Sequence, residues 1–405
     1  MFRIRSGVNR CRGEPRVVMK KRLLVALLFC VLARPVAGGT VQHPRKRRHI
    51  AAATTQRAPI VRVATQSQRP AAAPAPVVIQ GGPWTEPTFA DSTVGDMVDG
   101  EDLAVRRAAV EALGPYNGSV VAVDPGTGRI LSMVNQKLAL SAGFQPCSTI
   151  KVAVALAGLS EKTILPANRF HLGGLRMDLT YALAHSNNYY FATLGQKLGF
   201  ETVSHYARLF GYGERAGLNV PGEQPGAFPS AAPRNGGVGM LCSFGEEISQ
   251  TPLQLAALMS AIANGGTLYY LQYPRTAAEA GQFVPQIKRR LGIGKWISAI
   301  LPGMRGAVEF GTAHRAREDG PIAGKTGTCS SENHVHLGWF GSFNDSSGRK
   351  LVVVVLLTGG RPASGPLAAG IAGEVYRRLN EARYLGASGK FAPASLVASQ
   401  ICCRR

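Results

Sequence analysis

Three short segments carry residue types able to do acyl-transfer chemistry. Ser148-Thr149-Ile150-Lys151 precedes the apolar run Val152 to Ala157. Ser148 is therefore expected to open a buried helix, with Lys151 one turn on along the same face. A serine hydroxyl is a poor nucleophile near pH 7. An amine within hydrogen-bond reach, desolvated so that its pKa falls, can take its proton. Ser186-Asn187-Asn188 sets a second hydroxyl and a carboxamide at a break between helical stretches, where they can relay a proton and grip a peptide backbone. Lys325-Thr326-Gly327-Thr328 occurs once, on a strand pattern. Alternation puts Thr326 and Thr328 on one side of that strand and Lys325 and Gly327 on the other. Hydroxyls and a cation there can meet a carboxylate, and the missing side chain at Gly327 lets another element approach closely.

Each segment alone also has an ordinary explanation: a helix-capping serine, a solvated loop, a packing glycine. The first spacing recurs at Ser347-Gly348-Arg349-Lys350, inside an expected turn, and the second recurs at Ser331-Glu332-Asn333 and Ser342-Phe343-Asn344. What matters is whether the surrounding elements can bring the three together. Glu101 to Leu113 reads as an amphipathic helix. Ser119 to Asp124 and Arg129 to Val134 flank the turn Pro125-Gly126-Thr127-Gly128 as a hairpin. The section from Ser148 to about Gly265 is mostly helical in pattern, including Leu253 to Asn264, which stops at Gly265-Gly266. Strand patterns return at Ile322 to Thr328, His336 to Phe343 and Leu351 to Thr358, before a helix from Pro366 to Ala382. Strands at both ends with helices inserted between them predict an α+β fold, one antiparallel sheet flanked by helices.

The 405 residues include 46 Lys and Arg against 24 Asp and Glu, a formal charge of +22. Residues 1–70 hold 16 of the basic residues and a single acidic one, Glu14, so the excess is local and implies no nucleic-acid partner. Lys20-Lys21-Arg22, the apolar run Leu23 to Ala33 and the small residues through Gly39 match a secretory signal with an extended basic start. That run would span only about 16 Å as a helix, short of a bilayer core. An uncleaved signal held at the membrane stays open, as does a start at Met19. The expected organisation is thus a signal over 1–39, a basic Ala/Pro-rich tether over 40–95, a domain over 96–385 and a tail over 386–405.

In this order, the three segments resemble the signature of the penicillin-binding proteins and the wider serine acyl-transferases that react with β-lactams. Val120 to Leu131, Ser249 to Ala256, Ile262 to Gly266, Phe310-Gly311-Thr312-Ala313 and Gly338 to Phe343 look like further landmarks of that family. The resemblance covers about residues 100–385 and implies a penicillin-binding-protein transpeptidase fold. It implies Ser148 as the nucleophile toward a D-Ala-D-Ala stem peptide and Lys151 as its base. Ser186, near Lys325, would pass a proton to the leaving amine, and Asn188 would hold the acyl-side amide. Lys325, Thr326 and Thr328 would bind the terminal carboxylate across Gly327. Backbone N–H groups of Ser148 and Thr328 would form the oxyanion hole. It implies no metal or organic cofactor, peptidoglycan stem peptides as substrate, β-lactams as covalent inhibitors, cell-wall synthesis proteins as candidate partners, and a periplasmic or other extracytoplasmic location.

Transpeptidase, D,D-carboxypeptidase, β-lactamase and a non-turning sensor or scaffold all remain compatible with that chemistry. There is no Glu followed four residues later by Asn between the second and third segments, and Asn188 stands where class D β-lactamases usually carry Val; both favour slow drug release, a penicillin target over a β-lactamase. Gly245-Glu246-Glu247 departs from the Gly-Gln-Gly-like turn common in the family. Cys147 replaces a glycine often found before the nucleophile, and Cys329 follows Thr328. Two free, half-buried thiols are the default expectation for this pair, and a disulfide in an oxidising compartment is the alternative.

Overall fold

The computed structural model describes residues 85–386, apart from 167–169, 173–174, 219, 319, 331–334 and 346–347. The expected signal, most of the expected tether, the tail beyond Gly386 and the repeated spacings at Ser331 and Ser347 lie outside the described residues.

Helix α1 (Leu103–Leu113) leads into the hairpin β1 (Gly118–Asp124) and β2 (Arg129–Val134). A short α2 (Gln136–Ala139) follows, then α3 (Ile150–Ser160), the small hairpin β3 (Phe170–Leu172) and β4 (Leu175–Met177), α4 (Leu179–Ala184) and α5 (Asn188–Leu209), which kinks at Gly199. Next come α6 (Gly237–Phe244), α7 (Pro252–Ala263), β5 (Thr267–Tyr269), α8 (Ala277–Gly281), β6 (Ile287–Arg290) and α9 (Gly294–Glu309). The chain ends its regular structure with β7 (Ile322–Ser330), β8 (His336–Asn344), β9 (Val352–Gly359) and α10 (Gly365–Glu381). Neither small hairpin nor α9 was anticipated; the strands of the hairpins are three or four residues long, too short for alternation to register.

One five-stranded sheet, ordered β2-β1-β9-β8-β7 and antiparallel throughout, organises the domain. Its centre is β9, whose apolar run is buried on both faces. Val352, Val354 and Leu356 pack with Val121 and Val123 of β1 into the core shared with α3 and α7. Val353, Val355 and Leu357 pack on the other face with Val105 and Ala109 of α1 and Ala372 and Val375 of α10. Each such aliphatic side chain contributes about 1.5–3 kcal/mol when fully buried. The outcome is an antiparallel sheet between two helical layers, the predicted α+β arrangement.

The caps explain where the helices stop. Asp102 accepts from the N–H groups of Ala104 and Val105 to start α1, and Gly114 ends it at φ 58°. Thr251 and Gln254 form a reciprocal capping box ahead of α7, with Pro252 in its first turn. Buried Glu101 ties α1 to the hairpin: its carboxylate accepts from Tyr273 Oη at 2.7 Å, Ser132 Oγ at 2.8 Å and Met133 N at 2.8 Å. Arg106 completes the cluster through Asp96 at 2.7 Å.

The domain begins before residue 96. Ala90 N donates to Pro115 O at 3.0 Å, Asn117 N to Thr88 O at 2.9 Å, and Gly360 N to Thr88 Oγ1 at 3.0 Å. Residues 87–92, expected in the tether, therefore run along the sheet. They are held by polar contacts of backbone and of the Thr88, Ser92 and Asn117 side chains, which leave no apolar periodicity to read. Among the described residues, no helix is long and apolar enough to cross a membrane.

Candidate active site

The nucleophile turn is a single 3-10 turn, Cys147–Thr149, running into α3. Cys147 occupies the left-handed region at φ 51°, which turns the chain so that Ser148 sits at the helix entrance, 9% exposed. Thr149 Oγ1 lies 2.8 Å from the Pro146 carbonyl and 3.1 Å from Gln250 Oε1. Trp339 of β8 donates its indole N–H to the Gln145 carbonyl at 3.0 Å. Gln250 and Trp339 fall inside the landmarks noted above, but sequence reasoning gave neither a positioning role.

Lys151, in the first turn of α3 and one turn after Ser148, is fully buried and lies at the centre of the cluster. Its Nζ is 3.0 Å from Ser148 Oγ, 2.8 Å from the Ser186 carbonyl and 3.2 Å from Ser186 Oγ, and it also bonds Asn188 Oδ1. Burial pushes this amine down to about 7. A large fraction is thus neutral near pH 7 and carries a lone pair that can accept from Ser148. Ser186 reaches the cluster because α4 ends just before it and it takes φ 54° at the break. Asn187 caps α5 by accepting from Tyr190 N at 2.8 Å, which leaves Asn188, the first helical residue, to face Lys151. The repeat at Ser342 is different: its hydroxyl donates to Val353 O inside the sheet at 2.9 Å.

Lys325 is also fully buried, on β7, and its Nζ donates to the Thr326 carbonyl at 3.0 Å. Burial, and then the charge of Lys151, hold it well below the usual lysine range. Sequence reasoning set Ser186 beside Lys325, whereas the contacts of Ser186 named here run to Lys151. Two desolvated amines disfavour being charged together, so this pair favours at most one cation.

Strand β7 forms the edge of the sheet and faces the nucleophile turn through Gly327. A Cβ at Gly327 would meet the Pro146 carbonyl at 2.8 Å and Thr149 Cγ2 at 3.2 Å, so the approach depends on its absence. Cys147 and Cys329 form a disulfide across this junction, with Cα atoms 5.6 Å apart. The default expectation of two free thiols is therefore corrected: convergence over Gly327 brings the pair within bonding range. Cys242 is buried and free. On the other side of β7, Thr326 and Thr312 place their hydroxyls 2.6 Å apart, and Thr328 Oγ1 accepts from Gly365 N at 2.8 Å. Thr312 went unassigned on sequence, although the Phe310-Gly311-Thr312-Ala313 landmark contained it.

The structure thus assembles a buried serine, an amine poised to accept its proton, a second hydroxyl on that amine, a carboxamide, and a strand edge with paired threonines. That set suits acyl transfer through a serine ester.

Residues 118–377 match the family described as penicillin binding protein transpeptidase domain. Stage V sporulation protein D of Bacillus subtilis is 29% identical over 311 residues, covering 66% of this chain and 48% of that protein. Peptidoglycan D,D-transpeptidase MrdA of Acinetobacter baumannii is 24% identical over 357 residues, covering 68% and 52%. Peptidoglycan D,D-transpeptidase PbpA of Mycolicibacterium smegmatis is 27% identical over 342 residues, covering 66% and 69%. The chain spans about half the length of the first two. Pseudomonas aeruginosa PBP2, solved in complex with WCK 5153, shares the fold with a TM-score of 0.59 at 24% identity, over 73% of this chain and 80% of that one.

Proposed function

The chain belongs to the penicillin-binding protein transpeptidase family, and from that footing we propose that it cross-links cell wall as a D,D-transpeptidase acting on D-Ala-D-Ala peptidoglycan stems. The observation that carries this reading is the Lys151 amine 3.0 Å from the Ser148 hydroxyl, buried and lowered to about 7. Several relatives bear the name peptidoglycan D,D-transpeptidase, which supports the same assignment.

Ser148 Oγ attacks the carbonyl carbon of the penultimate D-Ala while its proton moves to the Lys151 lone pair. The resulting oxyanion is held by the backbone N–H groups of Ser148 and Thr328. When the C–N bond breaks, the leaving D-Ala amine takes that proton through Ser186, whose hydroxyl touches Lys151. The acyl group stays on Ser148 as an ester. An amine from a neighbouring stem then attacks the ester, gives its proton back along the same route and releases Ser148. Thr326 and Thr328, with Lys325 behind them, bind the terminal carboxylate. Asn188 uses its carbonyl end on Lys151, so its NH2 end is the part that meets the acyl-side amide. β-Lactams acylate the same serine, and the protein works outside the cytoplasm.

Incubation with a fluorescent penicillin followed by peptide mass spectrometry tests the reading. A covalent adduct on Ser148, absent from Ser148→Ala, is expected. No adduct with wild type, or one that survives Ser148→Ala, overturns it. An amine-acceptor assay with a stem peptide then gives cross-linked product if the assignment is correct and only free D-Ala if the enzyme is a carboxypeptidase.

A further inference from the structure

We propose that Cys147 and Cys329 are positioning residues for acyl transfer, their disulfide fixing the distance between the two halves of the oxyanion hole. The inference deepens the function proposed above and rests on it.

The bond is placed where it acts on both halves. Cys147 directly precedes Ser148, and Cys329 directly follows Thr328, the two residues to which the function proposed above gives the oxyanion-hole N–H groups. Their Cα atoms are 5.6 Å apart although 182 residues separate them in sequence. Other ties at this junction are noncovalent, among them the van der Waals seat of Gly327 on Pro146 and Thr149, and the Trp339 indole on the Gln145 carbonyl. On its sheet side β7 is held by β8, with Cys329 opposite Leu337. Its other edge is where the turn and substrate must meet, and Thr328 there is exposed. Oxyanion donors must sit within tenths of an ångström of their working places, so a covalent tie here acts on rate as well as on stability.

Cys147 adds a second reason. It is fully buried and holds φ 51°, a conformation that favours glycine over a residue with a Cβ. Bonded to Cys329, it has little freedom to leave that conformation. Once the bond is broken, the turn can relax and carry the Ser148 N–H away from the Thr328 N–H. A dithiol would open the bond by exchange: its thiolate attacks one protein sulfur to form a mixed disulfide. The second thiol then closes the dithiol into its own cyclic disulfide and leaves two protein thiols. Acyl transfer is therefore tied to an oxidising compartment.

The test follows acylation by fluorescent penicillin in stopped flow, which separates the acylation rate constant from the preceding dissociation constant. Peptide mapping without reductant first shows Cys147 linked to Cys329. Dithiothreitol treatment of wild type, and separately the Cys329→Ser variant, is expected to slow acylation about tenfold with the dissociation constant within about twofold. Reoxidation restores wild type, and dithiothreitol leaves Cys329→Ser unchanged. Cys147→Gly in the Cys329→Ser background recovers most of the rate, because glycine rests easily in the left-handed region. Near-UV circular dichroism confirms that each form is folded.

A lower Tm with an unchanged acylation rate overturns the inference, as does quantitative alkylation of both thiols in unreduced protein. Oxidised wild type that never labels Ser148 overturns the proposed function instead, so the two failures are distinct.

Discussion

The hydroxyls of Thr312 and Thr326 lie 2.6 Å apart, joining the loop after α9 to strand β7. Thr326 is nearly buried, so this bond sets which way its hydroxyl points. Thr312→Val is expected to slow acylation by penicillin about fivefold, and Thr326→Val by more. The double variant should be little worse than Thr326→Val alone, because both changes break one unit. Second-order acylation rates for the four proteins check this, and simple additivity would contradict it.

Acylation should titrate with the Lys151 amine. Below pH 7 that amine is protonated and cannot accept from Ser148, so the rate falls about tenfold per unit; above pH 8 it levels off. The groups facing it are Ser148, Ser186, Asn188 and the second amine, Lys325, which burial and the charge of Lys151 hold well below the usual lysine range. Lys151→Arg should be inactive at every pH, since a guanidinium stays charged. A pH-rate profile from 5.5 to 9 with about half-unit steps measures both.

Gly327→Ala should abolish acylation with only a modest loss of stability. The added Cβ meets the Pro146 backbone at 2.8 Å, and backbone cannot swing aside as a flexible side chain would. The nucleophile turn and β7 must then separate. Loss of penicillin labelling in a variant whose Tm falls by only a few degrees is the expected outcome.

Glu101 offers the opposite behaviour. Glu101→Ala strands the Tyr273 and Ser132 hydroxyls and the Met133 N–H inside the fold, costing about 2–4 kcal/mol. The folded fraction should acylate at the wild-type rate, because the cluster lies against α1 and the β1–β2 hairpin, away from Ser148. Urea unfolding and acylation kinetics on the same preparation separate the two effects.

The parts legible in sequence were those with strong periodicity or rare spacing. The strands from β7 to β9, the stop of α7 at Gly265-Gly266 and the Ser148 to Lys151 turn all announce themselves locally, and the chain order of three motifs did the rest. Contacts between distant residues were less visible. Nothing near Ser186 says that its hydroxyl meets Lys151, because that depends on how α3 and α5 pack. Thr312 was seen only as part of a landmark, and residues 87–92 only as part of a basic Ala/Pro-rich tether, since scattered polar contacts leave no periodic trace in composition. Cys147 and Cys329 show both sides: their positions raised the question of a bond, and only the closeness permitted by Gly327 answered it.

Strand β9 has one further consequence, for the order in which the sheet can be completed. It lies between β1 and β8, so Gly118 neighbours Leu357 although nearly the whole domain is synthesised between them. Until β9 has emerged, nothing joins the β1–β2 hairpin to the β7–β8 pair. A nascent chain therefore carries Ser148 and Lys151 for most of its synthesis before its sheet is complete. The last strand to be made is the one that closes the sheet.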